Sequence, residues 1–256
     1  MNSNQWQALC SFKKDFKQKI EEWSGLIPEL AQLQKQAAEL AKTPSYPFET
    51  PVVYNTDLDK ITPQDDIKLI VIGDNPGKDE QLAKNQRYLC GQAGKIADGF
   101  FKRNPPLGID FRKNVIILNK TPVHSAKTAQ LRTMMKNGGQ KVQELILQSQ
   151  LWMAQRTAEL TKDLGCELWL VGYSELKGKG FFVPYRDQLN ACLEGTQEWQ
   201  RVYVFQHFSM NRFTIDLDAF VRQNSLAGLP LAEQIKRVGE FHKREIFMDC
   251  FACGSQ

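Results

Sequence analysis

The stretch LIVIGDNPGKDEQ, residues 69–81, runs four bulky apolar side chains into a Gly-Asp-Asn-Pro-Gly turn and then directly into charge. Its apolar part is continuous and rich in β-branched residues, the pattern of a strand buried on both faces. Similar runs recur as KLIVIG (68–73), NVIILN (114–119), ELWLVG (167–172) and RVYVFQH (201–207). Between them lie helical segments such as AGKIADGFFKR and QKVQELILQSQLWMAQRTAELTKDL. The resulting βαβαβαβ order predicts an α/β fold: a central four-stranded parallel sheet flanked by helices, with extra helices at both ends.

Working outward, Trp6, Leu9, Phe16, Ile20 and Trp23 share one helical face and Leu30, Leu33 and Leu40 a second, so two helices are expected before residue 41. Pro44, Pro47 and Pro51 then make KTPSYPFETPVVYNT a connector. Closing helices are expected at 214–224 and 230–248, separated by Gly-Leu-Pro. The expected organisation is an N-terminal helical extension and connector (1–55), an α/β domain (56–225) and a C-terminal helical tail (226–256) packed on it.

With 256 residues, 42% of them hydrophobic, the chain can bury a full core, and a net charge of +4 permits a polyanionic partner without requiring one. No stretch approaches the roughly 20 apolar residues of a membrane span, and the N-terminus lacks a signal-peptide core, so a cytoplasmic monomer without membrane contact is expected. Six scattered cysteines fit reduced thiols; only Cys250 and Cys253 are close, a weak metal signal without a second pair. No metal and no cofactor are expected.

In parallel sheets ligands bind beyond the carboxyl ends of the strands. Those ends carry Asp74-Asn75-Pro76-Gly77, then Asn119 leading to His124, then Tyr173-Ser174, then His207 through Arg212. The first turn is no nucleotide loop. Gly73 and Gly77 enclose three residues where a P-loop needs four, Lys78 is followed by Asp79, and the third glycine of a dinucleotide fingerprint is replaced by charge.

GDNPGKDEQLAKNQRYLCGQAGKIADGFF (73–101) resembles the first motif region of the uracil-DNA glycosylase superfamily, where Gly-x-x-Pro-Gly follows the first strand and Gly-x-Ala-Gly opens the next helix. Asn119 and His207-Phe208-Ser209 match, in order, the family's strand-end asparagine and its His-Pro-Ser motif, so the similarity spans roughly residues 66–222. The resemblance implies the family's three-layer fold and a monofunctional DNA glycosylase that releases uracil or a related deaminated base. Its partner is DNA holding such a base, flipped out of the stack to be reached. The cysteine ligands of the family's iron–sulfur branch are not matched.

By position, the resemblance makes Asn75 the favoured water-orienting residue and Asp74 either an acidic helper or a turn cap. His207 donates to the base oxygen as negative charge develops, and Asn119 reads the base edge through its paired donor and acceptor. Gly73 and Gly77 let backbone approach the base, and Pro76 stiffens the turn. Gly77 stands where the most uracil-selective branch has a blocking tyrosine. Leu89 aligns with a stacking phenylalanine, which leaves Tyr88 to supply a ring. Ser209, Met210, Asn211 and Arg212 form the DNA-pressing loop, Ser209 on a phosphate and Met210 or Arg212 in the gap left by the base. Phe208, in place of proline, either wedges into DNA or packs inward. Lys177 and Lys179, in a glycine-rich loop, are candidate phosphate contacts. A second class of function is a superfamily member that binds nucleic acid or a protein without cleaving; a third is a small-molecule hydrolase.

Overall fold

A computed structural model describes residues 1–252, with side chains as far as Phe247. Its centre is a four-stranded sheet of β1 (Leu69–Gly73), β2 (Val115–Asn119), β3 (Glu167–Val171) and β4 (Val202–Phe205), in the order β2-β1-β3-β4 with every pair parallel. Side chains alternate between two cores, as the two-residue period of a strand requires. Ile70, Ile72, Ile116, Leu118, Leu168 and Leu170 enter one; Leu69, Val71, Val115, Ile117, Trp169 and Val171 enter the other. Both faces are therefore covered, which explains why the strands read as continuous apolar runs.

The first core is closed by α1 (Ser3–Leu26), α5 (Gly139–Leu164) and α6 (Val183–Leu193), the second by α3 (Gln92–Arg103) and α7 (Arg212–Gln223). Short helices α2 (Leu30–Leu40) and α4 (Thr128–Asn137) pack on each other. The last, α8 (Leu231–Ala252), lies along β4, where Gly239 lets helix and strand approach: a Cβ there would stand 2.6 Å from that of Tyr203.

The N-terminal segment is not peripheral to the core. Leu9, Phe12, Phe16 and Trp23 of α1 are buried in the same cluster as the sheet, and Trp152 of α5 lies 5.6–6.3 Å from the rings of Phe12, Phe16 and Trp23. Asn2 and Gln5 form a capping box at its start, and Gln5 Nε2 donates to Leu164 O at the end of α5. The apolar face expected for α2 differs: Leu40 is exposed, while Gln34 is buried and donates to Pro51 O and His124 O. This amide is buried because it satisfies one carbonyl of the connector and one of the loop after β2.

Strand order positions the site. Chain leaving β1 crosses to β2 on one side, and chain leaving β2 passes back over β1 to β3 on the other, so the crevice opens between the carboxyl ends of β1 and β3. The register places Gly73 beside Asn119, so the turn after β1 and the end of β2 share one level.

Candidate active site

A cavity of about 990 Å³ occupies this crevice, with Asp74, Glu80, Leu89, Asn119, His207 and Arg212 among its lining residues. Gly73 does not itself line the cavity but lets Asn119 approach: a Cβ there would collide with Asn119 Oδ1. Asn119 is 2% exposed, and its Nδ2 is buried without a well-formed hydrogen bond, its amide lying close enough to the Glu80 carboxyl to act on it. A buried unpaired amide costs free energy, and one that lines a cavity is placed to be satisfied by whatever enters it.

Beside it Glu80 is also buried, accepting hydrogen bonds from Leu89 N at 2.9 Å and Gly77 N at 3.2 Å. Burial pushes its carboxyl up to about 7, against those two donors and the nearby Asn119 amide. Leu89 holds a left-handed backbone, φ +47°, with its N–H on Glu80 and its carbonyl taken by Arg112. Gly94 makes room for that carbonyl, with which any Cβ would collide.

The two residues after Gly73 part company. Asp74 accepts from the ammonium of Lys120 through Oδ1 at 2.6 Å, and its Oδ2 has no hydrogen bond among the described residues. Asn75 has both ends of its amide engaged: Nδ2 donates to Ser125 O and Oγ at 2.9 and 3.0 Å, and Oδ1 accepts from Thr128 Oγ1 at 3.1 Å. Asn75 thus staples the turn to the loop before α4 while lining the cavity, so most of the bonding capacity of its amide goes to the scaffold and Asp74 is the freer of the two. Pro76 lies in the same scaffold, its carbonyl accepting from Ser125 N and from His124 Nδ1. The His124 ring is buried, its pKa lowered to about 4 by that burial, and its Nε2 accepts from Tyr46 of the connector.

At the end of β4, His207 Nδ1 accepts from Ser209 N at 3.1 Å and lies 2.8 Å from Ser209 Oγ. A backbone N–H can only donate, so the proton of the neutral ring sits on Nε2, which has no protein partner. Burial lowers the pKa of His207; Asp74 opposes this and Lys120 adds to it. Ser209 thereby orients the histidine with the groups expected to hold a phosphate. Phe208 settles inward, fully buried, its ring 4.9 Å from that of Phe213. The following turn places Met210 and Asn211 in left-handed conformations, φ +53° and +56°, and leaves Met210 74% exposed beside the cavity and Arg212.

Other residues expected at the site fall outside the cavity wall. Tyr88 is a core residue, fully buried, its hydroxyl donating to Val53 O, so its ring is no platform for the cavity. Asn211 does not line the cavity; its N–H closes the turn on Phe208 O. Lys177 and Lys179 are absent from the cavity wall. Lys177 donates to the Tyr173 hydroxyl at 2.9 Å, and the backbone carbonyl of Lys179 accepts from Arg132. Glu80 and Lys120 were not legible as site residues. Each follows a recognised motif by one to three positions, and that adjacency is the only signal. Among the described side chains no group of three His, Cys, Asp or Glu is placed to hold a metal; Cys253 and the side chain of Cys250 lie outside them.

Searches against protein-family models, curated proteins and solved structures return no match. No described helix is long and apolar enough to cross a membrane.

Proposed function

We propose that the chain is a DNA glycosylase that hydrolyses the N-glycosidic bond of uracil or a related deaminated base. The observation that carries this reading is the buried Asn119 amide, which has only the Glu80 carboxyl close by and no well-formed hydrogen bond, on a rim where Asp74 Oδ2 and His207 Nε2 have no partner among the described residues. Three groups with those properties match the three demands of the reaction. A cavity of about 990 Å³ holds a flipped nucleotide comfortably. Asn119 Nδ2 donates to a carbonyl on the base edge, which deaminated bases present and their amino parents lack at that position.

As the C1′–N bond breaks, both its electrons leave on the base and positive charge grows on the sugar. His207, neutral and carrying its proton on Nε2, donates to the base oxygen that gathers negative charge. The Asp74 carboxylate stabilises the sugar cation and receives the proton of the water whose oxygen bonds to C1′, while the released base takes a proton from solvent. Met210, at the exposed tip of its turn, fills the stack behind the flipped base, with Arg212 on the backbone.

The test is a panel of single- and double-stranded oligonucleotides containing uracil, hypoxanthine or xanthine, scored for alkali-labile sites. Cleavage of at least one is expected; no product on any of them overturns the reading. The aliphatic Leu89 favours a second reading, a protein that binds nucleic acid without cleaving it, because a stacking ring is worth about 1–3 kcal/mol. Salt-dependent DNA binding with no base release, unchanged in Asp74→Asn, would select that alternative.

A further inference from the structure

Lys120, the residue after Asn119, has a side chain with no solvent exposure. Its Nζ donates to Asp74 Oδ1 at 2.6 Å and Val171 O at 2.6 Å, and more loosely to Gly73 O at 3.4 Å. An ammonium has three donors and no acceptor, so three surrounding oxygens match its charged form; a neutral amine would turn a lone pair onto one of them. The Phe182 ring, with its centroid 5.1 Å from Nζ, adds a cation–π contact. Burial lowers the pKa of this lysine, and Asp74 and then Glu175 oppose that. The ammonium therefore bolts the ends of β1 and β3 together directly beneath the cavity. On the other side Gly172, φ +96°, brings its backbone against the Asp74 carboxylate, where any Cβ would collide.

We propose that Lys120 is the positioning residue of this site: its buried ammonium locks Asp74 through Oδ1, leaves Oδ2 for the cavity, and sets the field in which His207 works. The inference rests on the reading of Asp74 and His207 as the reacting pair. Asp74 and Lys120 are the two charges that act on His207, in opposite senses. Lys120 thus serves both groups: it fixes the carboxylate through Oδ1 and offsets the pull of that carboxylate on the ring proton. Without it, Asp74 would draw a second proton onto His207 and spoil the neutral donor.

The test is a histidine ring titration by nuclear magnetic resonance on the full chain, which has only three histidines. Lys120→Met keeps the stem and removes the charge; the His207 titration is expected to move upward. Asp74→Asn removes the opposing charge and is expected to move it downward. Loss of structure would expose the ring and move it upward in both variants, so opposite shifts separate charge from unfolding. An unchanged His207 in Lys120→Met, or upward shifts in both, overturns the proposal. On a cleavable oligonucleotide, Lys120→Met is expected to lower the single-turnover rate by about 10²-fold with DNA affinity retained, and to cost little more in an Asp74→Asn background. Additive losses in the double variant would overturn it as well. Wild-type inertness toward every base would remove the glycosylase reading alone and leave the ring titration to decide the role of Lys120.

Discussion

Two adjacent residues with similar side chains take opposite assignments, and the hydrogen bonds around them decide which is which. Both polar atoms of Asn75 are engaged by the scaffold, whereas Asp74 spends one oxygen on Lys120 and keeps the other. Asn75→Ala is expected to cost about 1–3 kcal/mol of stability, by leaving Ser125 and Thr128 without their partner. It should leave the single-turnover rate within a few-fold at a temperature where the variant is folded. Asp74→Asn is expected to lose about 10²-fold or more in rate even where it is folded, and to lower the melting temperature as well, because the buried Lys120 ammonium loses its counter-charge. Parallel denaturation and single-turnover measurements distinguish them, and a rate loss confined to Asn75→Ala would return that residue to the chemistry. The motif was legible at this scale, but the division of labour within it was not. Side-chain identity states what a group can bond to, while its neighbours determine what it still has free.

Helices α7 and α8 meet through ionisable groups next to the rim. His242 of α8 lies 2.9 Å from Asp216 of α7 and 3.1 Å from Glu245, and Glu245 accepts from Tyr173 in the loop after β3. Burial alone would lower the pKa of His242, but the hydrogen bonds it donates to both carboxylates outweigh it and raise the value above 6.5. A raised histidine stabilises the fold fully below its unfolded pKa, and that contribution fades as pH rises through the folded value. Melting temperature is therefore expected to fall as pH rises through this window. His242→Gln should abolish that dependence, as thermal melts from pH 5.5 to 9 would reveal. A pH response identical in the variant would place the linkage elsewhere. The helices themselves were anticipated from apolar spacing at 214–224 and 230–248, close to the observed Arg212–Gln223 and Leu231–Ala252. Their clasp was not, because its members are separated by up to 72 residues.

Across the whole molecule, the first core is continuous from α1 through the sheet to α6. Phe12, Phe16 and Trp23 bury against Trp152, and each large aromatic removed from a core costs about 3–5 kcal/mol, a large share of typical stability. A chain beginning at residue 43 is expected not to fold cooperatively, although the sheet and its site lie entirely beyond that point. The full chain should unfold in a single transition. Circular dichroism and urea titration of both chains provide the check, and a cooperative transition in the shorter chain would make the N-terminal helices an independent addition.

Local pattern alone determined that this chain is an α/β protein with four parallel strands and that its polar strand ends share one edge. Burial on both faces of a strand demands a continuous apolar run, and parallel connection demands a helix between strands; both leave marks within a few residues. Tertiary structure decided which of the gathered groups are free to act. Packing consumed Tyr88 and Phe208, hydrogen bonding consumed Asn75, and a lysine overlooked in the sequence became the partner of Asp74. The reason is that free valence depends on neighbours brought together from β1, β2, β3 and β4, and no window along the chain contains them all.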